Sequence, residues 1–196
     1  MYATGKSRST WLNRPLCVSY ASIHLKAVLP VVSDGCLDRM VVWRWAFGMF
    51  AEGEFEMLGA WPEPAFAPAQ IADHLAERGV DRIKLICVDN PAKKFDPNAG
   101  VALIDASFAQ GVLRVDEFAS SATIATQFVG RKRRSLLSAA AAAERQHVSL
   151  VYALRRRAPF ASAEAASEFI ADWLQKADRR LYEARRPAKP VIAHAA

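Results

Sequence analysis

The sequence predicts an α/β fold: a mixed five-stranded sheet, three antiparallel strands followed by parallel ones, with flanking helices and a C-terminal helical extension. The first half of the chain carries apolar runs rich in β-branched and aromatic residues, separated by short turn signals. After Ser120 the pattern is helical throughout. Of 196 residues, 52% are hydrophobic and 23% charged, which is ordinary for a globular chain and excludes wholesale disorder.

The first three strands are predicted to form an antiparallel meander. Residues 16–30 are rich in Val, Ile, Leu, Tyr and Ser and carry no helix start, and residues 40–49 are β-branched and aromatic. The turn signal at residues 33–35 lies between these two runs, and Glu52-Gly53 precedes a third run at 55–61. Short turns between consecutive strands favour antiparallel neighbours.

The next segment alternates between helix and strand. A helix is predicted over 70–78, with Gly79 as its C-terminal stop. Residues 82–89 form a short run with five apolar residues among eight, which is typical of a buried parallel strand. A helix at 98–108 and a strand at 111–118 follow. This order of elements matches the ribonuclease-H-like layout, a mixed sheet with helices packed on it.

The last third is predicted to be a helical extension. An Ala-rich run at 139–143 has strong helix propensity, and Ser162 is a plausible N-cap for a second helix. That helix carries an apolar residue every fourth position, which must be buried against the domain or a partner. The predicted units are a basic N-terminal arm (1–15), the sheet core (16–130), the helical extension (131–186) and a loose tail (187–196).

Charge favours a polyanionic partner. The net charge is +6 and the pI is about 9.5. Between residues 131 and 157 eight basic residues face one acid, Glu144: they are Arg131, Lys132, Arg133, Arg134, Arg145, Arg155, Arg156 and Arg157. The two end clusters, 131–134 and 155–157, are the predicted DNA-binding residues, through phosphate contacts. The alternative is a solvated helix with basic ends.

The spacing of the cysteines and the pattern at the N-terminus predict the cellular compartment of the protein. The three cysteines, Cys17, Cys36 and Cys87, are far apart and show no paired spacing, which predicts buried free thiols in a reducing compartment. No signal peptide or membrane-spanning run is present in the sequence, so we expect a cytoplasmic protein.

Trp43 and Trp45 share one strand face, where core packing is favoured over base stacking.

Several short stretches resemble one known family. They are, in order, WLNRPL at 11–16, IHLK at 23–26, EMLGAW at 56–61, RGVDRI at 78–83, ICVD at 86–89, Phe95, and the helix from Pro159 to Trp173. Together they are similar to the core of Mutator-type bacterial insertion-sequence transposases. The resemblance covers about three quarters of the chain, and it implies a ribonuclease-H-like fold and metal-dependent cutting and joining of DNA.

The resemblance also implies which residues would form a metal site. The family holds two Mg²⁺ ions with three carboxylates, since hard cations prefer oxygen ligands. Asp89, directly after the apolar strand, corresponds to the second carboxylate and is the candidate catalytic and metal-ligating residue. Ala21 stands where the first one belongs, and no third is identified. The alternative for Asp89 is a turn-capping role with Asn90 and Pro91.

The expected function is therefore that of a transposase-like protein of DNA transposition and recombination. We expect a truncated core that binds DNA without full strand-transfer activity by itself, and magnesium binding is implied only by the family. Further partners would be an intact transposase, or a second copy through the 162–182 helix. The alternative is a non-enzymatic protein-interaction module on the same fold. An unrelated enzyme is disfavoured because no nucleophile-elbow, P-loop or dinucleotide motif occurs.

Overall fold

The computed structural model describes residues 11–33, 35, 37–62, 68–88, 101, 104, 105, 108 and 113–185. Its strands are β1 (Ser19–Tyr20), β2 (Ser22–Val28), β3 (Val31–Ser33), β4 (Asp38–Met40), β5 (Trp43–Met49), β6 (Phe55–Pro62), β7 (Arg82–Val88) and β8 (Arg114–Ala119). Its helices are α1 (Pro68–Glu77), α2 (Ile124–Gln127), α3 (Gly130–Arg157) and α4 (Ala163–Arg185).

Six strands form one mixed sheet with β7 near one edge. β7 pairs in parallel with β1 and β2 on one side and with β8 on the other. β2 pairs antiparallel with β5, and β5 pairs antiparallel with β6. The spatial order is thus β8, β7, then β1 with β2, β5 and β6. The predicted antiparallel meander followed by parallel strands is confirmed.

Helices cover both faces of this sheet. On one face, α1 contributes Ile71 and Leu75 to a core that also holds Ile104 and Phe108, two helical residues from the predicted 98–108 helix. The remaining residues of that predicted helix, apart from Val101 and Asp105, lie outside the described part of the chain. On the other face, α3 and α4 pack against the strands. The extension predicted as a separate unit therefore shares the core of the sheet.

The main departure from the predicted strands lies between residues 29 and 42. The run predicted as one strand at 16–30 is divided into β1 and β2, and β3 and β4 form a separate two-stranded sheet. The predicted turn at 33–35 closes this small hairpin and does not join two strands of the main sheet. The hairpin is more polar than β2: Ser33, Asp38 and Arg39 make up half of its six strand residues, and β4 is exposed along its length.

The predicted stop at Gly79 is confirmed in detail. The Gly79 N–H donates to Ala76 O (2.9 Å), and the Val80 N–H donates to Leu75 O (3.1 Å). Gly79 has a φ of +98°, a conformation that glycine adopts without the steric strain of a Cβ. These are the two hydrogen bonds of a Schellman motif, and they satisfy carbonyls that the helix end would otherwise leave unpaired.

The start of α4 also agrees with the N-cap predicted from the sequence. Ser162 Oγ accepts a hydrogen bond from the Ala165 N–H at 3.1 Å, as expected of an N-cap. Hydrogen bonds to the Glu164 carboxylate, first from its own backbone N–H and then from the Ser162 hydroxyl, lower the pKa of Glu164. The apolar stripe of α4, which includes Ile170, Leu174 and Ala177, is buried against the sheet of the same chain. The stripe is therefore occupied, and it is not the surface that α4 would offer to a second copy.

The thiols are only partly as predicted. Cys87 is buried, as predicted, but Cys17 is exposed, and neither forms a disulfide with another described residue. Cys36 lies outside the described residues. Trp43 and Trp45 are both buried, which confirms core packing for this pair.

Candidate nucleic-acid interface

The long helix α3 has one buried face and one exposed face. It contains 28 residues, which at 1.5 Å per residue makes it about 42 Å long. Its buried face lies on the sheet and consists of Leu136, Ala139, Ala142, Ala143, Leu150 and Leu154. Small alanines in the middle of this face let the helix lie close to the strands. The opposite side of α3 is left to solvent over its whole length.

We call the solvent side of α3 the basic face. Its members are all exposed: Arg134, Leu137, Ser138, Ala141, Arg145, Val148, Ser149, Tyr152 and Arg156. Three arginines, Arg134, Arg145 and Arg156, recur every eleven residues, which is close to three full turns of an α-helix. They therefore form a line along the helix with a spacing of about 16 Å. Apolar and small side chains fill the intervals.

The predicted DNA-binding residues lie at the two ends of this helix. Arg131, Arg133 and Arg134 are exposed at its start, and Arg155, Arg156 and Arg157 are exposed at its end. From Arg134 to Arg156 the helix rises about 33 Å. The structure thus connects two clusters that the sequence shows only as separate charge runs, and Arg145 lies midway between them.

Lys132 differs from the other predicted residues. Its Nζ donates to Glu117 Oε1 at 2.8 Å and lies 4.6 Å from the centre of the Phe128 ring. This side chain is therefore directed toward β8 and away from the basic face. We exclude it from the candidate contact set for this reason.

Glu144 is the only acid in α3, and a lysine on the sheet beneath the helix compensates its charge. Its Oε2 accepts a hydrogen bond at 2.8 Å from Lys26 Nζ, which projects from β2. The Lys26 side chain is only 5% exposed, whereas that of Glu144 is 56% exposed. The pair leaves the basic face without an uncompensated negative charge. It also explains how a lysine is tolerated in the core beside the buried residues Ser22 and His24.

An aromatic contact also holds the middle of α3 in place. The rings of His147 and Trp45 are stacked with centroids 6.3 Å apart and an interplanar angle of 9°. His147 lies one turn beyond Glu144. Together the ion pair and the stack hold the middle of α3 against β2 and β5, and so they orient the exposed side of the helix.

The predicted metal site is not formed by the described residues. Asp89 itself lies outside them, and β7 ends at Val88. In the part of the chain that is described, no group of three or more His, Cys, Asp and Glu side chains could hold a metal ion. The described carboxylates thus do not fit the two-magnesium centre that the resemblance implies, and no catalytic step is derived through it.

The strand register shows where Ala21 lies relative to the described end of β7. The end of β7 is level with Leu25, because Leu25 pairs with Val88. Ala21 lies four residues earlier, between the partners of Ile83 and Ile86. At about 3.3 Å per residue this is a displacement of about 13 Å. Ala21 therefore lies well away from Val88, the last described residue of β7.

Residues that carry the family resemblance instead form a structural network. Asp178 on α4 accepts hydrogen bonds from Trp11 Nε1 (3.1 Å), Arg14 Nη2 (3.0 Å) and the Met57 backbone N–H (2.9 Å). Arg14 also donates to Met57 O at 2.7 Å. The N-terminal motif is thereby attached to β6 and to α4 at the edge of the sheet.

Arg78 continues this network toward α1. Its Nε donates to Arg14 O (2.9 Å) and its Nη1 donates to Leu58 O (2.5 Å). Burial, and then the nearby charge of Arg14, lower the pKa of Arg78 to about 10, so it remains charged at neutral pH. Beside it, Tyr20 donates to Glu56, and burial, together with that carboxylate, raises the pKa of Tyr20. These motif residues act in folding, through contacts inside the chain.

The Trp61–His74 contact beside this network predicts a pH effect. Trp61 Nε1 donates to His74 Nδ1 at 3.4 Å, and burial, then the charge of Arg78, lower the pKa of His74. His74 is therefore protonated less readily in the folded protein than in the unfolded chain, where the pKa of a histidine is about 6.5. The stability that neutral His74 provides is present above that pH and is lost as the pH falls below it.

We expect the melting temperature to fall between about pH 7 and pH 5, and to fall less in His74→Asn, whose amide oxygen still accepts the Trp61 N–H without titrating. Thermal unfolding followed by circular dichroism at stepped pH measures the difference. Parallel curves for the two proteins would contradict this account of His74.

Comparison with protein-family models and with curated proteins found no match for this chain. Within the described residues, no helix is long and apolar enough to span a membrane.

Proposed function

We propose that this protein binds nucleic acid through the basic face of α3. The observation that carries the proposal is the line of Arg134, Arg145 and Arg156 on one exposed side of a rigid helix. The single acid of that helix is neutralised by Lys26. When these arginines neutralise phosphate groups, the cations condensed on the nucleic acid are released. This release favours binding at any nucleotide sequence.

The arrangement of strands supports a ribonuclease-H-like fold as part of the same proposal. That layout places three antiparallel strands first and adds two parallel strands beside the first of them. The order β8, β7, β1 with β2, β5, β6 agrees with it. A role in DNA transposition, as the resemblance implies, is compatible with such a fold. We limit the proposal to DNA binding, because the described residues supply no carboxylate set for strand transfer.

The alternative of a protein-interaction module has less support. It rests on the 162–182 helix, whose apolar stripe is already covered by the sheet. The surface of the chain that remains open on α3 is basic, and two copies of it would repel one another. A polyanion is the partner whose charge complements this surface.

Replacing the three arginines of the basic face with alanine tests the proposal. We expect the Arg134→Ala, Arg145→Ala, Arg156→Ala triple variant to bind a fluorescein-labelled DNA at least roughly tenfold more weakly at low salt, since three phosphate contacts are lost. The side chains are exposed, so the fold should be retained. Fluorescence anisotropy measures the affinity.

The matched control removes the same charge from α4. Lys176, Arg179 and Arg180 are exposed there, and their replacement by alanine lowers the net charge equally. If this control weakens binding as much as the α3 variant, net charge and not the basic face accounts for the affinity, and the proposal is wrong.

A further inference from the structure

The basic face contains exposed side chains that phosphate binding does not need. Val148 is 59% exposed and Tyr152 is 62% exposed, although both could have been polar at no cost to the core. Leu137, at 36%, lies one turn after Arg134. A surface that contacted only a phosphate backbone would gain nothing from these groups, because phosphates and sugars offer no apolar face of comparable size.

Val148 and Tyr152 line a shallow depression beside Arg145. Its volume is about 600 Å³, and its lining consists of Ala141, Glu144, Arg145, Val148, Ser149 and Tyr152. Ala141 and Ser149 are small, so the floor is low and open. Arg145 and Tyr152 border it two turns apart, about 10 Å along the helix axis. A planar group can thus lie over Val148 with its edges near both.

Tyr152 is also paired with a phosphate-binding group. The guanidinium carbon of Arg156 lies 5.8 Å from the centre of the Tyr152 ring. This contact holds a cation beside one part of the ring and leaves more than half of the side chain open to solvent. A stacking surface next to a cation is the combination that single-stranded nucleic acids require, because their bases and phosphates alternate along the strand.

From this juxtaposition we infer that the basic face prefers single-stranded nucleic acid, with Tyr152 stacking on a base and Arg145 and Arg156 binding the flanking phosphates. The inference rests on the proposed function and adds the class of ligand to it. In a duplex both faces of each base are covered by neighbouring bases, so Tyr152 would have no partner. In a single strand a base face is open, and every base offers one, so the preference does not depend on sequence.

The experiment compares a fluorescein-labelled oligothymidine with a labelled duplex of the same length, using the full chain and fluorescence anisotropy. We expect the single strand to bind about tenfold more tightly than the duplex. Tyr152→Ala should weaken single-strand binding by about 5- to 160-fold, the range for loss of one stacked base, and leave duplex binding unchanged. Tyr152→Phe should behave as wild type. Tyr182→Ala is the control, because Tyr182 is 55% exposed on α4, away from the basic face.

The outcomes separate this inference from the proposed function. Equal binding of both probes, with no effect of Tyr152→Ala but a loss in the arginine variant, would overturn the single-strand preference alone. A similar loss on both probes in Tyr152→Ala would also overturn it. No binding to either probe, with a concentration-dependent dimer weakened by Tyr152→Ala in sedimentation, would assign the face to a second copy and overturn both.

Discussion

Replacing Asp178 with alanine is expected to lower the free energy of unfolding by about 3 kcal/mol, the lower end of the range for removing one partner of a largely buried ion pair. Asp178 is the common acceptor for the Trp11 indole, the Arg14 guanidinium and the Met57 backbone N–H. Its loss leaves a charge and two donors without this acceptor at the edge of the sheet. Chemical denaturation followed by tryptophan fluorescence gives the value.

Two further variants sharpen this test. Asp178→Asn retains one acceptor oxygen but presents an amide N–H₂ to donors, so its cost should be intermediate. Glu183→Ala, on the exposed side of the same helix, should change stability by less than about 0.5 kcal/mol. If Asp178→Ala were as mild as Glu183→Ala, the network would not be holding the N-terminal segment to α4.

The second large effect concerns Lys26 and Glu144, whose contributions should be unequal. Removing the carboxylate in Glu144→Ala takes the Glu144 contact away from a buried ammonium, and we expect a loss of about 3 kcal/mol. Removing the ammonium in Lys26→Met leaves a carboxylate that is already more than half exposed and can be hydrated. Its cost should be below about 1 kcal/mol, since a buried charge is replaced by an apolar chain of similar length. Urea unfolding of both variants measures the asymmetry.

A surface pair of the same geometry provides the control. Lys132 Nζ and Glu117 Oε1 are also 2.8 Å apart, but the two side chains are 54% and 45% exposed. Glu117→Ala should therefore cost no more than about 1 kcal/mol. Equal effects of Glu144→Ala and Glu117→Ala would contradict the assigned role of burial. Lys26→Met should in addition weaken nucleic-acid binding, because it exposes the basic face to the uncompensated charge of Glu144.

Local signals in the sequence predicted most of the elements. Gly79 and Ser162 mark helix ends because their hydrogen bonds involve residues only three to five positions away. The apolar run at 82–89 predicted β7 because a strand covered on both faces needs no alternation. The β3–β4 hairpin was not predicted, because each of its strands has only three residues, too few to show a strand pattern.

The site depended on contacts that are distant in sequence. The spacing of Arg134, Arg145 and Arg156 was visible, but alanines occur on both sides of α3, so the composition does not show which side is buried. Lys26 and Glu144 are separated by 118 positions, and only packing brings them together. The level of Ala21 relative to β7 could not be predicted, because a motif match sets no strand register, whereas the pairing of Leu25 with Val88 does.

The most direct test of the central claim is the salt dependence of nucleic-acid binding. Each phosphate contact to a single strand contributes about 0.7 to the slope of log affinity against log salt concentration. With the three aligned arginines and the exposed arginines at each end of α3, wild type should show a slope of about −3 or steeper. The triple variant of Arg134, Arg145 and Arg156 should lose about 2 of these units. A shallow wild-type slope, or one that the triple variant leaves unchanged, would contradict binding at the basic face.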